Sequence, residues 1–148
     1  MIVKDRPYFR KEIDLAFVKR KAIMHAEALK RGGDGVALYQ DCYTGKLLRG
    51  GDPYDYEHIR SSEEIFMKYR HILTNEQIAE VVNCRENVGV TLRTINQSKG
   101  KRRLEDWLSS GLNRAELGVD LKHAMGSLRK ADEGIMRIVK EIAVQLIF

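Results

Sequence analysis

The spacing of apolar residues predicts a long helix near the start of the chain. Between residues 11 and 31, apolar side chains recur at steps of three and four residues, and Gly32-Gly33 follows as a stop signal. The residues with this spacing are Leu15, Val18, Ala22, Ala26 and Leu29. We therefore expect an amphipathic helix over about residues 11–31, with these five side chains as its apolar face.

Two shorter segments have the pattern of β-strands. Residues 54–59 alternate aromatic and charged side chains with period two, and residues 88–92 are rich in residues that favour strands. We expect the two segments to pair as a two-stranded ribbon. Alternation in the first strand places Asp55 and Glu57 on one face and His58 on the other. A bend at the strand end would be needed to direct Glu57 and His58 at one target.

The segment between the two strands is predicted to be a helical insertion. Residues 61–82 contain two apolar patterns of helical period, each preceded by a start signal. Thr74 is expected to be the N-cap of the second helix, with Gln77 completing a capping box. The insertion therefore adds helices to a core whose strands lie on either side of it.

The rest of the chain is also predicted to be helical. A helix carrying Asn96 follows the second strand, and residues 104–108 continue helically, with Trp107 expected in the core. A C-terminal helix is expected over about residues 112–146. Its apolar face contains Ile135, Ile138, Val139, Ile142 and Leu146.

Composition bounds the class of protein. Apolar residues make up 43% and charged residues 32% of the 148 residues, which is typical of a soluble globular protein. We expect one domain over residues 1–148, with an α+β, mostly helical fold. No apolar run is long enough to cross a membrane, and the N-terminus lacks a signal-peptide pattern, so we expect a cytoplasmic protein without a membrane partner.

Cys42 and Cys84 have no CxxC spacing; we expect two buried thiols and no structural zinc.

Charge is unevenly distributed along the chain. Residues 51–95 carry eight acidic and five basic side chains, whereas residues 96–103 carry four basic and no acidic ones. The basic residues of this run are Lys99, Lys101, Arg102 and Arg103. Such a run is typical of a surface that binds nucleic-acid phosphates, although a solvated surface can show the same pattern by chance.

Two stretches combine residues that suit phosphodiester chemistry. In the first, Glu57 precedes His58 at the end of the predicted strand. In the second, Asn87 and Asn96 stand nine residues apart, directly before the basic run. Together they supply a general base, oxygen ligands for a hard cation and a phosphate-binding run. This combination favours a metal-dependent phosphodiesterase.

The order of these motifs resembles the HNH (ββα-metal) endonuclease family. The matching stretches are Cys42-Tyr43-Thr44-Gly45-Lys46, Asp55-Tyr56-Glu57-His58-Ile59, and Asn87 with Asn96 followed by Lys99-Gly100. The similarity is strongest to the HNH domains of type II CRISPR effectors and their stand-alone relatives, and it covers about residues 40–108. It implies a ββα-metal core, made of a two-stranded ribbon plus a helix, flanked by the N- and C-terminal helices.

The resemblance also implies a reaction and a role for each residue. The expected activity is hydrolysis of DNA phosphodiester bonds by a one-metal mechanism, with His58 as the general base. Asn87 would fix the loop and orient the histidine. Glu57 and Asn96 would bind one Mg²⁺, with Mn²⁺ as an alternative ion and Asp55 as an alternative ligand. The basic residues Lys99, Lys101, Arg102 and Arg103 would hold neighbouring phosphates.

Three departures from the family pattern qualify this resemblance. Glu57 replaces the commoner aspartate, so its carboxylate reaches one methylene further. Asn96 occupies the last position in place of a histidine, as in the CRISPR-type domains. The 28 residues between His58 and Asn87 exceed the usual loop and suggest added specificity or a partner surface.

Two other classes of function stay open. One is a non-catalytic nucleic-acid-binding protein that uses the same basic run, and the other is a helical interaction or assembly protein. Among nuclease roles, the sequence allows a phage or mobile-element enzyme, a restriction-type defence protein, or a toxin with an inhibitor protein as partner. The expected substrate is DNA, with RNA as an alternative. A clean double-strand cut would need two sites, which suggests a homodimer through the terminal helices.

Overall fold

The chain forms a mostly helical α+β fold, as predicted, and contains two small antiparallel sheets where one two-stranded ribbon was expected. The structure, a computed structural model, describes residues 2–147, without the side chains of residues 112, 113 and 147. The elements of the first half are α1 (Lys11–Gly32), β1 (Leu38–Gln40), β2 (Leu47–Arg49), β3 (Tyr54–His58), α2 (Ser62–Tyr69) and α3 (Asn75–Val82). A 3-10 turn (Arg85–Asn87) is followed by β4 (Val88–Leu92), α4 (Arg93–Lys99), α5 (Leu104–Leu108), α6 (Gly111–Leu117) and α7 (Leu121–Ile147).

The predicted ribbon between the two strand segments is confirmed. β3 and β4 pair antiparallel over their full lengths, with Tyr54 opposite Leu92 and His58 opposite Val88. β1 and β2 form a separate antiparallel pair. α4 begins at Arg93, the residue after the end of β4, so no loop separates the helix from the ribbon.

The helix α1 is confirmed, but its predicted apolar face was wrong. Leu15 and Val18 are 59% and 61% exposed, whereas the buried residues are Ile13 and Ala28. Ile13 packs into the core that contains α2 and α3, and Ala28 packs against β1 and β4. The buried side of α1 thus lies about half a turn away from the predicted apolar face.

The predicted insertion forms α2 and α3. The capping box at the start of α3 is confirmed: Gln77 N donates to the Thr74 hydroxyl at 3.1 Å, and Thr74 N donates to Gln77 Oε1 at 2.9 Å. Ile78 and Val81 of α3 are fully buried in a core that also contains Ile13 of α1 and the middle of α7. The insertion therefore belongs to the main packed body.

The C-terminal helix predicted over residues 112–146 is interrupted. α6 ends at Leu117, and Gly118 adopts a left-handed conformation with φ of 71°. The chain restarts as α7, where the carboxylate of Asp120 accepts a hydrogen bond from His123 N at 3.1 Å. Glycine tolerates the left-handed turn and aspartate offers an alternative partner for the backbone, which explains the break. Along α7, Ile135 and Ile142 are buried as predicted, but Leu146 is 68% exposed.

A second core lies between the ribbon, α4, α5 and α7. Trp107 is fully buried there, as predicted, beside Tyr43 and Ile95. Cys42 and Cys84 are buried free thiols, also as predicted. None of the described helices combines the length and the apolar composition needed to cross a membrane.

Candidate functional site

The strand β3 presents different chemistry on its two faces. Its pairing with β4 is regular up to the pair His58–Val88, so the ladder contains no bulge at that end. Side chains therefore alternate as in any strand, with Asp55 and Glu57 on the face that α4 covers and His58 on the opposite face. The predicted site residues are thus divided between the side of β3 that faces α4 and the side that faces α1.

Asp55 and Asn96 lie next to each other at the more exposed end of the acidic face. Asn96 Nδ2 donates to Asp55 Oδ2 at 3.1 Å, and Arg93 Nε donates to Asp55 Oδ1 at 3.0 Å. Both donors come from α4, which places its first two turns against β3. Asp55, the alternative ligand in the sequence prediction, is the carboxylate that contacts Asn96.

Glu57 and Lys99 form a buried ion pair one turn further along α4. The Lys99 Nζ atom lies 3.2 Å from Glu57 Oε1, with the two residues 2% and 6% exposed. The other oxygen of this carboxylate, Glu57 Oε2, is buried with no hydrogen-bond partner among the described residues. Burial raises the pKa of the Glu57 carboxyl above its ordinary value, and the neighbouring ammonium opposes that rise.

His58 is half-buried between the ribbon and the helices α1 and α3. Its Nε2 atom lies 2.8 Å from Oδ1 of Asn83, and its ring lies against the ring of Phe17, with 4.2 Å between centroids. Burial lowers the pKa of His58 to about 4, so the imidazole is neutral at pH 7. A neutral imidazole is the form that accepts a proton.

Asn87 fixes the backbone just after His58. Its Oδ1 accepts from Arg60 N at 2.8 Å, and its Nδ2 donates to Arg60 O at 3.1 Å and to Val82 O at 2.8 Å. Asn87 is fully buried, and its described hydrogen bonds go to backbone atoms instead of to the imidazole. The predicted effect of Asn87 on His58 would therefore act through the chain between residues 58 and 60.

The basic run divides into a buried and an exposed part. Lys99 is enclosed against Glu57 and is not accessible to a phosphate in this structure, contrary to its predicted role. Lys101, Arg102 and Arg103 are exposed. Arg103 also contacts Glu64 and Glu105, at 3.5 Å and 3.2 Å. The exposed surface available for phosphates is thus residues 101–103, just past the end of α4.

A buried aspartate ties the turn at residues 42–46 to the ribbon. Asp41 Oδ1 accepts from the backbone nitrogens of Tyr43 and Thr44 at 2.8 Å and 3.2 Å, and from the hydroxyl of Thr91 at 2.9 Å. Its second oxygen accepts from Leu92 N at 3.2 Å. Asp41 is fully buried and thereby fixes β4 relative to the turn.

The structure brings part of the predicted site together. Asp55, Glu57 and Asn96 lie along the contact between β3 and α4, whereas His58 makes no hydrogen bond with any of them. No group of three or more His, Cys, Asp or Glu side chains that could hold a metal is present among residues 2–147. The predicted ligand set relies on an amide oxygen in addition to carboxylates.

Sequence reasoning missed the two side chains that contact the His58 imidazole. Phe17 lies four residues after the buried Ile13, so a search for a second apolar face on α1 would have found it. Asn83 directly follows α3, at a position where asparagine is common as a cap. Its contact with a residue 25 positions earlier had no signal in the sequence.

Comparison with known proteins identifies no relative. No protein-family profile, no curated protein and no solved structure matches the chain.

Proposed function

We propose that the protein is a metal-dependent endonuclease that hydrolyses DNA phosphodiester bonds through an HNH-type site. The main support for the proposal is the way in which α4 follows the β3–β4 ribbon and packs on β3. An antiparallel ribbon leads directly into a helix whose Asn96 contacts Asp55 and whose Lys99 contacts Glu57. This arrangement supports a ββα-metal core at the residues whose order resembles the HNH family.

The residues along β3 and α4 fit a magnesium ion in chemical type. Asp55, Glu57 and Asn96 offer carboxylate and amide oxygens, which are the donors that Mg²⁺ and Mn²⁺ prefer. Glu57 Oε2 and the hydroxyl of Tyr43 are both buried without a hydrogen-bond partner among the described residues, and the hydroxyl opposes the rise in the pKa of Glu57. A divalent ion there would supply stabilisation of negative charge on the phosphate and on the leaving oxygen.

In the proposed reaction His58 accepts a proton from the attacking water. Its imidazole is neutral at pH 7 and can therefore accept a proton, but a pKa of about 4 makes it a weaker base than an ordinary histidine. The water oxygen forms a bond to phosphorus, the bond from phosphorus to the 3′ oxygen breaks, and the departing oxygen takes a proton from solvent. The products are a 5′ phosphate and a 3′ hydroxyl. His58 and Glu57 lie on opposite faces of β3, so one phosphate could contact both only beyond the end of the ribbon. Glu57 is enclosed against Lys99 and would have to leave this ion pair to reach the phosphate or its metal ion.

The exposed basic residues would hold the DNA backbone beside this position. Lys101, Arg102 and Arg103 follow α4 directly and are exposed. Contacts of this kind position a strand without reading its sequence. Lys99 has a different part in the proposal: it neutralises Glu57 within the protein.

A plasmid-cleavage assay tests the proposed function. Supercoiled DNA is incubated with the wild type, His58→Ala or His71→Ala in Mg²⁺, Mn²⁺ or EDTA. We expect metal-dependent conversion to open-circle or linear DNA by the wild type and by His71→Ala. We expect at least a hundredfold loss in His58→Ala, about the contribution of a general base. His71 is a matched control because it is an exposed histidine between α2 and α3.

A non-catalytic DNA-binding protein is the second candidate. Two observations favour it: Glu57 is already neutralised by Lys99, and His58 does not contact Asp55 or Asn96. The same assay distinguishes the two candidates. A wild type that binds the plasmid but leaves it intact with every divalent ion would overturn the nuclease proposal and support the binding protein.

A further inference from the structure

Asn83 is the polar side chain that contacts the His58 imidazole. It follows the last residue of α3 and is 4% exposed, and its Oδ1 atom lies 2.8 Å from His58 Nε2. On the other side of the imidazole, the Phe17 ring lies at 4.2 Å between centroids, with 39° between the planes. The ring is therefore held by one hydrogen bond and one aromatic contact.

The direction of the Asn83 amide is determined by two backbone carbonyls. Its Nδ2 atom lies 3.1 Å from Ile13 O and 2.9 Å from Ala79 O. Carbonyl oxygens only accept hydrogen bonds, so the NH₂ end of the amide must face them. The oxygen end therefore faces His58, and it too can only accept. If the amide were reversed, two buried carbonyls would lose their donor and face an oxygen.

The hydrogen bond between Asn83 and His58 then fixes the position of the imidazole proton. Since Asn83 Oδ1 is an acceptor, the proton of a neutral imidazole must be on Nε2. The lone pair is left on Nδ1, because a neutral imidazole has one N–H and one acceptor nitrogen. Nδ1 makes no hydrogen bond with any described residue.

We propose that Asn83 is a positioning residue that holds His58 as the Nε2-protonated tautomer, so that Nδ1 is the atom that accepts the proton of the attacking water. This inference rests on the proposed nuclease function. It gives the segment between β3 and β4 a role in the site: the residue that directly follows α3 orients the base, and α1 supplies the carbonyl of Ile13 that orients Asn83.

Nitrogen NMR of the metal-free protein tests the tautomer directly. In a ¹⁵N-labelled wild type, long-range correlations from the ring protons distinguish protonated from unprotonated ring nitrogens, and His58→Gln assigns the His58 signals. We expect Nε2 to be protonated and Nδ1 unprotonated in the wild type. A wild type with the proton on Nδ1 would overturn the proposal without any variant of Asn83.

The variant Asn83→Leu separates positioning from structural support. Its matched control is Asn75→Leu, because Asn75, at the other end of α3, anchors the helix to the N-terminal segment through Arg6 Nε at 2.6 Å. In Asn83→Leu we expect the two nitrogen signals of His58 to move towards each other, as in an unrestrained imidazole. We also expect the cleavage rate at saturating protein to fall at least about tenfold with an unchanged Kd for DNA. Asn75→Leu is expected to retain the wild-type tautomer and rate.

The outcomes distinguish this inference from the proposed function. Cleavage that depends on His58 but is equal in Asn83→Leu and Asn75→Leu would overturn the positioning role and leave the nuclease intact. A wild type that cuts no DNA would overturn the nuclease and with it the catalytic role of Asn83, whichever tautomer the spectrum shows.

Discussion

Lys99 and Glu57 place opposite charges in the interior of the protein. A buried pair gains little over an apolar pair of the same shape, but removal of one partner leaves a charge without compensation. The remaining partner would be Glu57, whose second oxygen already lacks a hydrogen bond. The stability of the protein should therefore depend strongly on Lys99 as long as Glu57 is present.

We expect Lys99→Met to lower the free energy of unfolding by about 3–5 kcal/mol. Urea unfolding in EDTA would measure this value. Lys101→Met is the control, because this exposed lysine should change stability by no more than about 0.5 kcal/mol. The double variant Glu57→Gln/Lys99→Met should regain most of the loss. Equal stability of Lys99→Met and Lys101→Met would contradict a buried, stabilising pair.

For single residues, the sequence predicts which side chains share a helix face better than it predicts whether that face is buried. Asn96 and Lys99 are three residues apart, so a helix necessarily places them on one side. Whether that side faces solvent or another element depends on how α4 lies on β3, which is a long-range contact. The sequence therefore predicts that Lys99 accompanies the ligand residues, but it cannot show that Lys99 is enclosed against Glu57.

Among the elements, the strands were easier to predict than the buried face of α1. β3 and β4 each carry a clear period-two or β-rich pattern, and β4 buries Val88 and Val90 on one face, which favours one register. α1 has apolar residues on more than one side. Its orientation is decided by where Ile13 and Ala28 meet α3 and β1, and these contacts leave Leu15 and Val18 exposed.

Two glycines of α7 differ in how much space a side chain would have. A Cβ atom at Gly134 would lie 2.7 Å from Cβ of Glu86, in the 3-10 turn that α7 crosses. A Cβ atom at Gly126 would meet nothing closer than 3.9 Å, where the guanidinium of Arg129 lies. The close approach of α7 to this turn therefore depends on the absence of a side chain at Gly134.

We expect Gly134→Ala to destabilise the protein by about 1–3 kcal/mol, because α7 or the 3-10 turn must shift to relieve the contact. Gly126→Ala should be neutral or stabilising by up to about 1 kcal/mol, since alanine favours a helix over glycine. Thermal or urea unfolding of both variants tests the difference. If both substitutions changed stability in the same direction by similar amounts, the close crossing at Glu86 would be disproved.

At the scale of the whole molecule, acidic and basic side chains are unevenly distributed along the chain. The exposed basic residues 101–103 lie next to a region with an excess of acidic side chains. Arg60 contacts three acidic side chains from different parts of the chain: Asp132 at 2.8 Å, Glu105 at 2.6 Å and Glu64 at 3.5 Å. Positive charge is in excess both in residues 1–50, which carry eleven basic and six acidic side chains, and in residues 96–103, which carry four basic and no acidic ones. Because the second stretch directly follows the proposed site, DNA affinity should depend on it.

The salt dependence of DNA binding tests this distribution. With Ca²⁺ in place of Mg²⁺, we expect the logarithm of affinity to fall linearly with the logarithm of salt concentration. Lys101→Ala should reduce the slope by about one and weaken binding to unrelated sequences equally. Lys140→Ala is the control, an exposed lysine near the far end of α7. Identical slopes for the wild type and both variants would exclude residue 101 from the DNA interface.

The strand β3 carries acidic side chains on one face and His58 on the other, so the site is sensitive to a register shift between β3 and β4. A shift of one residue in its pairing with β4 would turn Asp55 and Glu57 towards α1 and His58 towards α4. Cys42 N donates to Val90 O at 2.9 Å, and a Cβ atom at Gly89 would lie 2.8 Å from Cys42 Sγ. These contacts hold β4 in place from outside the ribbon. Insertion or deletion of a single residue within β3 would therefore reverse the faces of all side chains on one side of that position, a change that no substitution of a single side chain reproduces.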